Sequence, residues 1–373
     1  MKSWAVMHLE RQVAVIHEDG TCTVFFPRFM PYDLDLKPAD EDSLITLHDN
    51  LDHFYTWCAN RHLTLSRSSA VDFLVSHGYL QATTDRDRTA IALACHGLCL
   101  TDVFWIRNTE ENIRFAQIDL WDHPLSDEYV DVVLRDHGMV ARNTGLTRAS
   151  DAALPEAYRV PNVWIQRDGS FQLLKGGTPG DVEAELVSSQ IARCFDVDQV
   201  LYEPMEFEGR PVSRCELVTS KDKSIVFARN MKNYSLRERM TLGELIRSRD
   251  VYGLHMMNII DYLIGNTDRN LSNWGFWIDN HSNQPEKLFP LMDFNRSFRS
   301  YDVPEGSQCL ILKENVSQRE AAVRGVREIG LRLVRDLPED LSALFSRLNA
   351  LRQTRLEVMF QTRLEILKQA VKE

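Results

Sequence analysis

The sequence predicts an α+β chain in three parts: an N-terminal accessory unit, a β-rich segment with one long helix, and a helical segment broken by polar loops. Three observations predict it. Short β-branched and aromatic runs crowd residues 100–227. Beyond residue 235 the apolar positions take helical spacing. Two polar stretches, "GNTDRNLSNWGFWID" at 265–279 and "KLFPLMDFNRSF" at 287–298, interrupt that spacing.

Taken in order, residues 4–27 read as a small β meander. "QVAVI" and "CTVFF" flank "HEDGT", where Asp19-Gly20 is good turn chemistry. The acidic, proline-bounded "PYDLDLKPADED" reads as a linker. Leu44, Leu47, Leu51, Phe54, Tyr55 and Cys58 share one helical face, which predicts a helix over 42–60. Further helices are expected at 69–77 and 84–95. "TDVFWIR", "RFAQIDLW", "NVWIQR" and "FQLLK" read as strands. Residues 141–160 are polar and rich in small side chains. "GDVEAELVSSQIARCF", 180–195, predicts a helix with Val182, Leu186, Ile191 and Cys194 inward. "PVSRCELVT" and "SIVFAR" read as two more strands around the turn "SKDK". Residues 273–293 read as strand, turn, strand, a hairpin that would return Asp293 to the side of Asn273. The charged helical stretch 316–372 breaks at Pro338.

Composition bounds the function. The chain has 373 residues, 44% hydrophobic and 26% charged, ordinary for a soluble globular protein of two or three packed units. A net charge of −11 argues against coating nucleic acid or anionic membranes. The seven cysteines form no C-x-x-C pair, and "ACHGLCL" (Cys95, His96, Cys99) lacks a second ligand pair, so buried reduced thiols are expected. "MKSWAVMHLERQVAV" has no apolar core of signal-peptide length. A cytoplasmic protein is expected.

Four residues carry chemistry in chain order: Lys175 ending "FQLLK", then Asp268 with Asn273, then Asp293 in "FPLMDFN". Phosphoryl transfer from ATP needs these types. A lysine neutralises non-transferred phosphates, a carboxylate orients the attacking hydroxyl, and an Asn oxygen with a second carboxylate holds Mg²⁺. Each residue alone is as well explained as a solvated lysine, a turn or a cap. It is their order, around β-rich then helical segments, that points to chemistry. "KGGTPGD" is not a Walker A loop, and no G-x-G-x-x-G occurs. Glu185 is placed to pair with Lys175, and a solvated helix face explains it equally.

These residues resemble the HipA-like kinases, bacterial Ser/Thr kinases that include HipA toxins and compact CtkA-type enzymes. "LIGNTDRNLSN" is similar to their catalytic loop, "PLMDF" to their metal motif, and "FQLLKGG" with "EAELVSSQIARCF" supports the match over roughly 100–310. The resemblance implies a bilobal protein-kinase-like fold: an accessory unit at 1–95, a β-rich N-lobe at 96–220 and a helical C-lobe at 221–373. It implies Asp268 as catalytic base, Asn273 and Asp293 as Mg²⁺ ligands, and Lys175 on the ATP phosphates with Glu185 as its partner. It places adenine against the backbone at Glu216 and Leu217. Asn270 stands where the family often has histidine. The implied partners are ATP, a protein substrate and an antitoxin-like or regulatory protein, with no direct nucleic acid and no membrane. A lipid or small-molecule phosphotransferase, or a nucleotide-holding pseudokinase, uses the same residue types. In the 143–151 loop, Thr144, Thr147 and Ser150 lie beside Arg142 and Arg148, a candidate for autophosphorylation.

Overall fold

Short apolar runs around the Asp19-Gly20 turn at the N-terminus fold as the meander they predict. In a computed structural model that describes residues 1–38, 43–61, 89, 92–93, 96–123, 162–167, 170–207, 209–299, 301–312, 314–337 and 350–372, β1 (Ser3–His8), β2 (Arg11–His17) and β3 (Cys22–Val24) pair antiparallel. Asp19 Oδ1 accepts from the N–H and hydroxyl of Thr21 and closes the β2–β3 turn.

The fourth strand of this sheet, β4 (Phe104–Asn108), pairs antiparallel with β1, giving the order β3-β2-β1-β4. The sequence reading put "TDVFWIR" in the β-rich segment that follows. Strand propensity is local, but the choice of partner is not, and β1 offered the free edge. "RFAQIDLW" is not a strand. It forms a 3-10 turn at Phe115–Gln117, after which buried Asp119 accepts from the N–H groups of Trp121 and Asp122. This local side-chain capping displaces strand geometry.

Helix α1 (Leu44–Arg61) buries Leu47, Phe54 and Cys58 as expected, while Leu44 is exposed at its first turn. Asn50 takes an unforeseen inward position. It accepts from the Lys37 N–H at 2.9 Å and donates to the carbonyls of Lys37 and Gly20, which ties the linker down. The helices expected at 69–77 and 84–95 lie outside the described residues, apart from helical positions 89, 92 and 93.

The second sheet is antiparallel in the order β5-β6-β8-β7, with β5 at Asn162–Arg167, β6 at Ser170–Lys175, β7 at Glu203–Phe207 and β8 at Arg210–Glu216. The polar "EPMEF" of β7 hid its strand character. Helix α2 (Pro179–Ala192) packs behind β8, with Val182, Leu186 and Ile191 buried as expected. Its start is the glycine-rich "KGGTPGD". Thr178 and Asp181 form a reciprocal capping box around Pro179.

β9 (Lys223–Phe227) pairs with β10 (Gly275–Asp279), which pairs with β11 (Gln284–Leu288). "PVSRCELVT" and "SIVFAR" therefore lie in different sheets, and the turn between them carries the chain from one to the other. The 273–293 hairpin forms as predicted. The N-terminal sheet docks on this third sheet. Tyr32 Oη donates to the Asn283 carbonyl, Asn283 Nδ2 to Arg28 and Met30 carbonyls, and the Ile225 N–H to the Thr101 carbonyl.

After α3 (Lys232–Glu238), helix α4 (Leu242–Ile264) is the central element. Its geometry breaks at Asp250, whose carboxylate accepts from the Gly253 and Leu288 N–H groups and restarts the helix. Leu254, Met256, Met257, Ile259, Ile260, Leu263 and Ile264 are all buried, each contributing about 1.5–3 kcal/mol. They pack against α2, β11, α5 (Gln318–Ile329) and α6 (Ala350–Ala370). From α6, fully buried Arg363 donates to the carbonyls of Tyr262 at 2.6 Å and Val303 at 2.9 Å. Among the described residues no helix is long and apolar enough to cross a membrane.

α4 ends on Gly265 at φ +60. A Cβ there would lie 2.5 Å from the Tyr301 ring. Gly265→Ala is expected to cost about 2–3 kcal/mol, combining the left-handed backbone penalty with the overlap. Urea unfolding measures it, and an unchanged midpoint would show that the ring yields freely.

Candidate functional site

Lys175 ends the interior strand β6, paired with Asn162 on one side and Ser213 on the other. That position drives its side chain inward. Its Nζ lies 2.6 Å from Glu185 Oε2 and donates to Asp293 Oδ1 at 2.8 Å. The Tyr202 ring lies 5.2 Å away. Lys175 and Glu185 are buried, while Asp293 keeps 28% of its side chain exposed. Glu185 also accepts from the Phe294 N–H at 2.9 Å, so α2 holds the 293–294 peptide directly while Lys175 of β6 holds the Asp293 carboxylate.

The electrostatics follow from this crowding. Burial disfavours the Lys175 charge, but Asp293 and Glu185 outweigh it and hold the pKa well above the ordinary lysine value. Burial pushes Glu185 up despite Lys175. Burial opposes the Asp293 charge too, but Lys175, Arg269 and Arg296 prevail and hold it below the usual carboxylate range. Asp293 also sits at φ +60, a conformation that Asp tolerates better than most residues, and its N–H donates to Tyr202 Oη.

The Asp268 loop is built by its own side chains. The Asp268 N–H donates to Asn266 Oδ1, and Asn266 Nδ2 donates back to Asp261 in α4. Asn270 Nδ2 donates to Asp268 Oδ1 at 2.7 Å, and Asn273 Nδ2 to the Asp268 carbonyl at 2.6 Å and to Oδ2 at 3.3 Å. Asn270 therefore fixes the carboxylate from the position where the resemblance anticipates histidine. Asn273 turns its Nδ2 toward Asp268, leaving Oδ1 for another partner.

Sequence reasoning missed the residue that joins the two halves. Arg269, 2% exposed, donates through Nε and Nη2 to both oxygens of Asp261, at 2.8 and 3.0 Å. Its Nη1 donates to the carbonyls of Asn273 and Met292. One guanidinium thus anchors the backbone at Asn273 and the residue before Asp293. A signal was present: Asp261 is the lone acid inside the apolar run "LHMMNIIDYLI", and a buried acid requires a cation.

The structure thus brings Lys175, Glu185, Asp268, Asn273 and Asp293 into one network. Glu216 and Leu217 stand apart from it. Glu216 accepts from Gln172 Nε2, and the Leu217 N–H already donates to the Phe171 carbonyl. An adenine could not use that amide without breaking its bond to β6. Nearby, Ile225, Trp277 and Phe289 form a small apolar cluster with Val218, Phe227 and Met292 leading toward Asp293. The 143–151 loop lies outside the described residues.

Among the described residues no three His, Cys, Asp or Glu side chains form a self-sufficient metal site, and the described cysteines are free and buried. The donor set of Asn273 Oδ1 and the Asp293 carboxylate is hard oxygen. It fits Mg²⁺ that arrives with further oxygens on a phosphate.

No family model matches the chain, and no curated protein matches it. Solved structures similar to it include two kinases. The Helicobacter pylori proinflammatory kinase CtkA shares 15% identity at a TM-score of 0.45, over 57% of this chain and 93% of its own. HipA of Shewanella oneidensis MR-1, solved with HipB and its operator DNA as a toxin–antitoxin system, shares 12% identity at a TM-score of 0.49, over 99% of each chain.

The lowered Asp293 pKa has a signed consequence. Its ionised form adds stability in full above about 3.8, the value for the unfolded chain, and loses it as pH falls through the lower folded value. Asp293→Asn is expected to be about 1–3 kcal/mol less stable than wild type at pH 7. The gap should close at the acid end. Urea titrations at several pH values check this, and a gap independent of pH would show that the carboxylate charge is not its source.

Proposed function

We propose that the chain is an ATP-dependent Ser/Thr protein kinase of HipA-like type. The observation that carries this reading is the single network joining Lys175, Glu185 and Asp293 through Arg269 to Asp268 and Asn273. A buried lysine shared by a buried and a half-buried carboxylate, beside a loop that aims a third, suits transfer of a phosphoryl group.

In this reading the side chains divide the work. Lys175 holds the non-transferred phosphates, and Glu185 keeps Lys175 in place. Asp268 accepts or orients the proton of the attacking hydroxyl, with Asn270 steering its carboxylate. Asn273 Oδ1 and Asp293 hold the metal. When bound there, Mg²⁺ would supply positive charge against the phosphate groups. The Val218, Ile225, Phe227, Trp277, Phe289 and Met292 cluster supplies an apolar wall for adenine. We also assign residues 221–373 to a helical C-lobe and the second sheet with α2 to an N-lobe. The pairing of β4 with β1 supports extending the accessory unit past residue 95. A protein substrate, an antitoxin-like or regulatory partner and a cytoplasmic setting belong to the same proposal.

Incubation with γ-labelled ATP and Mg²⁺ tests it. Self-labelling or labelling of an added protein is expected, whereas labelling only of an added lipid or sugar would assign a different phosphotransferase. Nucleotide binding without turnover would assign a pseudokinase.

Asp268→Asn is expected to lower turnover about 10²-fold or more at unchanged ATP affinity, because an amide cannot take the proton. Wild-type turnover in this variant would remove Asp268 from the mechanism. Asp293→Ala is expected to lose Mg²⁺-dependent ATP binding more than metal-free nucleotide binding. Calorimetry with and without Mg²⁺ checks this, and equal losses would make the residue structural.

A further inference from the structure

Lys175, Arg269 and Arg299 are each committed to carboxylates: the first to Glu185 and Asp293, the second to Asp261, the third to Asp181. Arg296 differs. It is half-buried, and its guanidinium has no ion pair and no hydrogen bond among the described residues. Its backbone is fixed all the same. The Arg296 carbonyl accepts from Thr267 Oγ at 3.3 Å, and the Phe298 N–H donates to the Ile264 carbonyl at 3.0 Å. The chain that leaves Asp293 is thus stitched back onto the end of α4. Arg296 follows Asp293 by three residues, and its carbonyl holds the residue that precedes Asp268.

An arginine that is half-buried without a counter-ion is uncommon, because withdrawing a charge from water costs free energy unless something pairs with it. The two nearby carboxylates are already engaged. Asp268 accepts from Asn270 and Asn273, and Asp293 from Lys175. Arg296 acts on Asp293 only at longer range, as one of the charges that keep it ionised. Asp268, Asp293 and Arg296 all keep part of their surface open to solvent. An anion entering between the two carboxylates meets their repulsion and one uncommitted guanidinium that offsets it.

We propose that Arg296 is a catalytic residue whose guanidinium binds the phosphoryl group in transfer, donating two N–H groups to two of its non-bridging oxygens. This role rests on the kinase reading above. In that step the bond from phosphorus to the β,γ-bridging oxygen breaks, and this oxygen keeps the electron pair and leaves with ADP. A bond forms from the substrate hydroxyl oxygen to phosphorus, and the hydroxyl proton passes to Asp268. Arg296 gives up no proton. It places positive charge where the equatorial oxygens carry negative charge in the transition state. A planar fork matches two oxygens of one phosphoryl group, whereas an ammonium is a single point charge.

Turnover and binding are read side by side in the full chain. ATP turnover, to protein or to water, is measured with Mg²⁺ for wild type and Arg296→Ala. Calorimetry gives the affinity of each for Mg²⁺-ADP, alone and with aluminium fluoride, a mimic of the phosphoryl group in flight. Arg296→Ala is expected to turn over about 10²–10³-fold more slowly. It should bind Mg²⁺-ADP as wild type does, and lose about 10-fold or more of the extra affinity that aluminium fluoride confers. Arg296→Gln keeps most of the stem and should show the same pattern; it decides the matter if the alanine variant does not fold. A wild type that turns over no ATP removes the kinase reading and this role together. A wild type that turns over ATP, with variants equal to it in turnover or in aluminium fluoride affinity, removes the role of Arg296 alone. Weakened Mg²⁺-ADP binding in a folded variant also overturns it, because Arg296 would then act through Asp293.

Discussion

The Arg269 guanidinium is charged, buried and planar, and four of its five N–H groups are committed: two to Asp261, one to the Asn273 carbonyl and one to the Met292 carbonyl. Asp261 makes this possible by neutralising the charge from within α4. Removing one partner of such a pair typically costs about 3–5 kcal/mol, because the other is left charged in the interior. The carbonyls it holds lie at the two ends of the β10–β11 hairpin, and the fork ties those ends together beyond the last strand pairing. Side-chain positions at Asp268, Asn273 and Asp293 thus inherit their relative placement from one rigid fork. Lysine, a point charge on a flexible stem, could not span the same four acceptors.

Around that fork the charges are arranged so that one kind of visitor is favoured. Lys175 faces two carboxylates, Glu185 and Asp293, at 2.6 and 2.8 Å. The trio carries one surplus negative charge. A bare phosphate entering it meets repulsion, whereas a phosphate accompanied by a divalent cation reverses the local sign. Burial makes this selection sharper than it would be in water.

Much of this was legible in the sequence, and the exceptions have physical causes. Helix α2 and the 275–288 hairpin announced themselves by period, and the spacing of Asp268, Asn273 and Asp293 marked the loops. The approach of Glu185 to Lys175 was also anticipated. What escaped were choices between partners. β4 reads as a strand whichever sheet receives it, and only the free edge of β1 decides. The Leu217 amide is spent on Phe171 because β8 runs one residue past its regular pairing, which no local pattern records. Arg269 looked like any solvated arginine, since its acid partner lies eight residues back, inside the preceding helix. At Asn50 and Asp119, buried side chains took over backbone hydrogen bonding, and a period cannot reveal that.

The Arg363 contact has a temporal side. The carbonyl it caps, that of Tyr262, sits at the end of the helix that launches the Asp268 loop. About 95 residues separate Asp268 from Arg363, so at roughly 5–20 residues per second a ribosome takes on the order of 5–20 s to supply the second after the first. Throughout that interval the Tyr262 carbonyl has the Gly265 N–H but not the guanidinium as its partner. That contact at the helix end can therefore close only once α6 has been synthesised.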